Sequence, residues 1–372
     1  MEWGISLYPE FTQPDLLRSY VGRAAELGCR RVFLSLILSH LNFSGALSPE
    51  SEDFDRVFSL CRDKGLAVTV DVDDVLLSAL AGTTEEAVAQ LARRGVDCLR
   101  IDSGASAPLL DAAKHHGLRV ELNAADLDVS TPPRRQAGEA LVRELLSRFQ
   151  PQEVQGCFNF YPRTGTGLSL GRVEAVTEFL HGCGIQTAAF VSSLSAEPVL
   201  HAPGRGVCTV EVLRDTPPET AAAVLRCCGV DAVLIGDVSA TQEELTALSA
   251  ACAGEVLSLP VVFHRDCPEH VRYALTHTAF ANRSDAPEFV LRGTETRGTP
   301  VQPFRTGPRP PFCVTVDNCR SAQYMGELQI PLEPLPPCRE ANVAGWVLPD
   351  AQVLVPFLRD GSRRFRLTEY PG

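Results

Sequence analysis

Short apolar runs that stop at an acid or an amide punctuate this chain, and a segment of helical periodicity follows each. Asp71 closes Leu66-Ala67-Val68-Thr69-Val70, and Asp102 closes Cys98-Leu99-Arg100-Ile101. Asn123 follows Arg119-Val120-Glu121-Leu122, and Asp237 follows Ala232-Val233-Leu234-Ile235-Gly236. Buried runs this short, separated by helices, suit parallel strands, which need a crossover and are covered on both faces. The helices carry their own marks. Leu17, Tyr20, Val21, Ala24 and Leu27 share one face before Gly28, and Thr83–Glu86, Thr216–Glu219 and Thr241–Glu244 read as capping boxes. Strand–helix units of this kind, eight in about 255 residues, predict a (β/α)8 barrel. A doubly wound open sheet is the rival, weakened by the absence of GxGxxG after the first strand.

The pattern changes near residue 257. Beyond it, strand-like runs such as Phe312–Val316 and Gln352–Phe357 lie between Pro- and Gly-rich turns, and helical periodicity is largely absent. Residues 257–372 are therefore expected to form a smaller β-rich domain after a barrel over 1–256. The segment Arg297–Pro311, with five prolines, reads as an extended loop within it.

Composition narrows the function. With 45% apolar residues the 372-residue chain can bury a large core, and its net charge of −12 argues against a general nucleic-acid binder. Only two lysines, Lys64 and Lys114, are present, both near predicted helix ends, so Schiff-base chemistry is not expected. The 13 cysteines are scattered through apolar stretches without CxxC or zinc spacing, as buried thiols in a reducing compartment would be. The eight histidines show no HxH or HExxH pattern. The N-terminus has no signal-peptide character and no run has membrane-span length, so a cytoplasmic protein is expected, with no membrane or nucleic-acid partner and no cofactor.

What remains is carboxylate chemistry. Asp71, Asp102 and Asp237 fall at predicted strand ends, where barrel enzymes place their sites, with Glu10 after the first strand and Glu211 after the seventh. Asn123, Asn159 and Tyr161 add neutral hydrogen-bonding groups. Two carboxyls in different environments can divide into acid and base, as glycoside hydrolysis requires. The alternative for each Asp is a helix cap. Asp71, Asp73 and Asp74 together could hold a divalent metal, although a solvated turn and helix start explains Asp73-Asp74 more simply. For an anionic group, Arg163 in Arg163-Thr164-Gly165-Thr166-Gly167, Arg205 and Arg214 beside Glu211, and Arg283, Arg292 and Arg297 in the second domain are the guanidinium candidates.

An ordered set of phrases resembles one family. It comprises Gly4-Ile5-Ser6-Leu7-Tyr8-Pro9-Glu10, Leu99-Arg100-Ile101-Asp102-Ser103-Gly104, Glu121-Leu122-Asn123-Ala124, Asn159-Phe160-Tyr161-Pro162 with Thr166-Gly167-Leu168, and Ile235-Gly236-Asp237. Asn282-Arg283-Ser284-Asp285, Asp317-Asn318 and Tyr324-Met325-Gly326-Glu327-Leu328-Gln329-Ile330 extend it through the second domain. Together these resemble the 6-phospho-N-acetylmuramidases. The resemblance implies a TIM-type barrel with a cyclophilin-like domain, and hydrolysis of 6-phosphomuramyl–N-acetylglucosamine disaccharides in cell-wall recycling. Departures cluster at Val207-Cys208, at Leu213, where the family has His before Arg214, and at Val72-Asp73-Asp74 after Asp71.

The expected assignment makes Asp102, Glu211 and Asp237 the catalytic carboxylates. Glu10, Asp71, Asn123, Asn159, Tyr161, Arg163, Arg214, Arg283, Arg297 and Asp317 are the expected substrate contacts. Two other readings stand beside it: a metal-dependent sugar-phosphate lyase or isomerase using Asp71, Asp73 and Asp74, and a non-catalytic sugar-phosphate binder.

Overall fold

The computed structural model describes residues 1–37, 52–102, 106–196 and 206–370. Two compact units emerge, Met1–Cys252 and Ala253–Gly372.

In the first unit β1 (Glu2–Leu7), β2 (Arg31–Leu34), β3 (Ala67–Val72), β4 (Cys98–Ile101), β5 (Arg119–Asn123), β6 (Val154–Cys157), β7 (Gln186–Val191) and β8 (Ala232–Ile235) pair in chain order. All pairings are parallel, and β8 returns to β1 through Trp3↔Val233 and Ile5↔Ile235. The barrel is closed, which removes the open-sheet rival. Helices α1 (Pro14–Glu26), α2 (Glu52–Asp63), α3 (Asp74–Leu80), α4 (Thr84–Arg94), α5 (Ala107–His115), α6 (Pro132–Leu146), α7 (Leu170–Gly182), α8 (Pro218–Cys227) and α9 (Gln242–Ala253) lie between and after the strands. The caps explain several of their limits. Thr83 accepts from Glu86 N at 3.2 Å, and Gly95 ends the same helix at φ 98°. Thr241 and Glu244 form a reciprocal box, with Glu244 N→Thr241 Oγ1 at 3.2 Å and Thr241 N→Glu244 Oε2 at 2.9 Å. The box expected at Thr216–Glu219 does not cap: α8 starts at Pro218 with Pro217 in the cap position, and a proline side chain has no acceptor to offer the first-turn N–H groups.

Side chains that alternate inward fill the barrel. Phe33, Cys157, Ala188, Phe190, Ala232 and Leu234 make a buried cluster, with Phe33, Phe160 and Phe190 in edge-to-face contacts at 5.2–6.0 Å. The inward position one step nearer the strand ends is polar. Asp71 pairs in register with Arg100, and Arg100 with Glu121.

The second unit is a mixed seven-stranded sheet. It contains β9 (Leu257–Phe263), β10 (Phe280–Ala281), β11 (Val290–Gly293), β12 (Cys313–Asp317), β13 (Leu328–Pro331), β14 (Ala341–Val347) and β15 (Arg364–Glu369), in the order β10-β15-β9-β14-β12-β13-β11. The smaller β-rich domain is thus present, with two local corrections. Gln352–Phe357 is not a strand but part of a 3-10 helix, Pro349–Leu358, whose Ala351, Leu354, Val355 and Leu358 are buried. A continuous apolar run does not by itself separate strand from buried helix, and Pro349 at the first helical turn decides it here. An amphipathic helix, α10 (Glu269–His277), buries Val271 and Leu275, although helical periodicity is otherwise sparse in this region.

Candidate active site

The strand ends of the barrel carry two groups of carboxylates, and within them Asp71 and Glu211 are in opposite electrostatic situations. The first group lies on β3 and β4. Asp71 follows the β-branched run of β3 and is half-buried. Its Oδ2 accepts from Ser35 Oγ at 2.6 Å and its Oδ1 from Ile37 N at 3.0 Å. Burial outweighs both donors and the nearby Arg100, so the carboxyl is pushed up to about 6. On the next strand Arg100 is only 3% exposed. It donates to Glu121 Oε1 and Cys157 O at 3.3 Å each and to Asn159 Oδ1 at 3.5 Å, and its face lies 5.9 Å from the Phe33 ring. Its Nε is 3.8 Å from Asp102, whose side chain is 58% exposed at the end of β4. Arg100 therefore sits between two buried or half-buried acids and one open acid.

Sequence reading missed Arg100 and Glu121 as site residues. The available signal was a charge at an inward-facing position of each strand: Arg inside Cys98-Leu99-Arg100-Ile101, and Glu inside Arg119-Val120-Glu121-Leu122. Neither charge can be buried alone, so each implies the other.

The second group lies after β6, β7 and β8. Residues 206–211 bridge the two ends of the 161–168 segment, antiparallel at Tyr161 and parallel at Leu168, through Tyr161 N→Cys208 O and Leu168 N→Thr209 O, both at 2.8 Å. Glu211 closes this strap. Its oxygens accept from Gly165 N at 2.8 Å, Gly167 N at 2.7 Å, Arg214 Nε at 2.9 Å and Arg214 Nη2 at 2.7 Å. Gly167 must be glycine, since a Cβ there would lie 2.7 Å from Glu211 N. The Arg214 bonds act against the penalty of burial, and with the two amides they hold Glu211 at about 2. Such a carboxylate has no proton to give near neutrality.

Arg214 itself is 2% exposed. A guanidinium has five N–H donors. Besides Glu211, those of Arg214 reach Tyr161 O at 2.7 Å, Gly206 O at 2.9 Å and Arg163 O at 3.3 Å, which leaves none for a phosphate. Arg163 presents an exposed side chain on the same loop. Arg205 lies outside the described residues, as do Ser103 and Gly104.

Asp237, 4% exposed, is a loop anchor: its Oδ2 accepts from Ser193 N at 2.7 Å and Val207 N at 3.0 Å. Burial still pushes it up to about 6 against those two bonds. Asn123 accepts from Ala125 N at 3.1 Å and so caps the short turn after β5. Asp73 caps α3 through Leu76 N at 2.7 Å, so it and Asp71 turn to different partners. Glu10 is half-buried after β1, and Tyr161 is half-buried with its hydroxyl raised by burial.

The second unit has its own charged centre. Glu327 is fully buried and accepts from Arg292 Nε at 2.6 Å and Arg297 Nε at 2.7 Å. Its burial would raise it, but the two guanidiniums bring it below the usual range. Both stack near the Tyr324 ring, at 5.6 and 4.9 Å. Asp317 nearby is pushed up to about 6 by burial and by the Glu327 charge. Arg283 is instead held by Asp285, at 2.8 and 3.1 Å.

Comparison with known proteins agrees in extent with these two units. No curated protein matches the chain. Among solved structures, an uncharacterized B. cereus protein superposes with a TM-score of 0.82 at 26% identity, covering 99% of both chains. A conserved Enterococcus faecalis protein of unknown function superposes with a TM-score of 0.73 at 24% identity, over 99% of this chain and 96% of that one. The profile of the 6-phospho-N-acetylmuramidase N-terminal domain matches residues 3–250, and that of the C-terminal domain matches residues 257–368. With both profiles matched in order over nearly its whole length, the chain belongs to the 6-phospho-N-acetylmuramidase family.

Proposed function

We propose that the protein is a glycoside hydrolase that cleaves a 6-phosphorylated muramyl–N-acetylglucosamine disaccharide during cell-wall recycling. The observation that carries the chemistry is Asp71, a carboxyl pushed up to about 6 at a strand end next to the Arg100–Asp102 pair. A proton donor for glycoside cleavage needs a raised carboxyl of this kind, and its partner must stay ionised. Asp71 gives its proton to the glycosidic oxygen as the C–O bond breaks. Asp102, or the substrate's own acetamido oxygen, stabilises the positive charge left at the anomeric carbon. Water then supplies hydroxide to that carbon, and its proton returns to Asp71.

In this reading Glu211, Arg214 and Asp237 shape the wall of the site and do not transfer protons. Asn123, Asn159, Tyr161 and Glu10 face the sugar hydroxyls. Arg163, exposed on its loop, is the barrel's candidate for the phosphate. The family match supports the substrate class. The test is release of N-acetylglucosamine from a 6-phosphomuramyl disaccharide by the wild type and by Asp71→Asn, Asp102→Asn and Glu211→Gln. Loss in the first two with retention in the third supports the assignment. No turnover by the wild type would contradict the function, and equal turnover by Asp71→Asn would contradict the assignment. Turnover that survives EDTA separates this reading from a metal-dependent lyase or isomerase.

A further inference from the structure

Away from the strand ends, three side chains able to ligate a metal meet in the outer helical layer. Glu85 lies in the first turn of α4, while His115 ends α5 and His116 caps it. Glu85 Oε1 is 2.7 Å from His115 Nδ1 and 2.8 Å from His116 Nε2. One ligand atom from each residue falls within 4.8 Å of the others. Two consecutive histidines reach one point because the first uses its near ring nitrogen and the second its far one. Their rings lie side by side, with centroids 4.8 Å apart and 30° between planes.

Two imidazoles and a carboxylate are a borderline donor set, suited to Zn²⁺ rather than to Mg²⁺ or Ca²⁺. Around a tetrahedral Zn²⁺ with bonds of about 2.0–2.2 Å, ligand atoms stand about 3.4 Å apart. Opening the two hydrogen bonds by roughly 0.6–0.7 Å reaches that spacing, and the metal takes the place of the ring protons. The neighbouring cation does not oppose a metal ion, because Lys114 is tied to both Glu153 oxygens at 2.8 and 2.9 Å.

We propose that Glu85, His115 and His116 form a surface Zn²⁺ site, with water as the fourth ligand, that clips the start of α4 to the end of α5. The site is independent of the hydrolase reading. Ligands from two helices far apart in sequence assemble only in the folded chain, so bound metal stabilises the fold. Because 13 cysteines offer competing thiolates, Co²⁺ is the discriminating probe.

The full chain, stripped with chelator and kept reduced, is titrated with Co²⁺ and then with Zn²⁺. One equivalent of Co²⁺ is expected to give visible d–d bands without a thiolate charge-transfer band, and Zn²⁺ is expected to displace it and raise Tm. His115→Ala/His116→Ala and Glu85→Gln, all at exposed or half-exposed positions, should keep the wild-type circular dichroism and bind Zn²⁺ at least tenfold more weakly. Their Tm should no longer respond to the metal. A thiolate charge-transfer band, equal binding by the double-histidine variant, or no saturable binding by the wild type would each overturn the proposal.

Discussion

Asp71 and Glu211 are carboxylates of one barrel, each following a strand or strap that ends among loops, yet their protons are held in opposite ways. Asp71 is desolvated, with one hydroxyl and one amide as donors and Arg100 acting mainly on Glu121 and Asp102. Glu211 is saturated by two amides and both edges of a buried guanidinium. Desolvation without a committed cation raises the first to about 6, and pairing lowers the second to about 2. Position at a strand end therefore does not make a carboxyl catalytic. The partner that its surroundings supply decides whether it keeps a transferable proton.

Substitutions can break this contrast. The largest effect is expected from Asp71→Asn, which should lower kcat/KM on the phosphorylated disaccharide by about 10³-fold, within the range for loss of a general acid. Its folding should be little changed, which a denaturant titration checks.

Arg214→Ala should do the reverse. It strands Glu211 and three backbone carbonyls, and should cost about 3 kcal/mol of stability, as breaking a buried pair does. Glu211→Gln keeps one acceptor oxygen, loses the charge and turns an amide NH2 toward two of the four donors that Glu211 accepts from. It should destabilise by about 1–2 kcal/mol and leave kcat within tenfold of wild type, if the carboxylate is structural.

The pH dependence of stability separates the same two groups. A carboxyl raised to about 6, such as Asp71 or Asp237, stabilises the native state below its unfolded value of 3.8 and loses that contribution as pH rises through about 6. Glu211, lowered from 4.5 to about 2, contributes above 4.5 and loses it as pH falls through about 2. The stability gap between wild type and Glu211→Gln should accordingly shrink on acidification, as urea titrations at a series of pH values would record. The smallest expected effect is from Ser35→Ala. Losing the 2.6 Å donor removes a bond that favours the ionised Asp71, so the activity limb governed by Asp71 should move to higher pH.

Much of the frame was legible in the sequence, because strand length, helix faces and glycine stops are local properties. The closed barrel follows from eight such units, and the acids at their ends were in view from the start. Which acid keeps a proton was not legible. Asp71 has the least family-like neighbours, and Glu211 stands in a segment whose departures hide the strap it closes. Their environments depend on residues 29 to 46 positions away: Arg100 for Asp71, and Gly165 and Gly167 for Glu211. Arg214 read as a phosphate ligand because charge is visible in a sequence and saturation is not. In the second unit, Gln352–Phe357 shows the same limit for backbone: an apolar run states burial but not conformation.

The most direct test of the account is the pH profile of kcat/KM for cleavage of a 6-phosphomuramyl disaccharide, measured on the wild type and on Asp71→Asn. The account predicts a wild-type rate that falls as pH rises through about 6, where Asp71 loses its proton, and a residual rate in Asp71→Asn without that limb. A variant that keeps both the wild-type rate and the limb would contradict it.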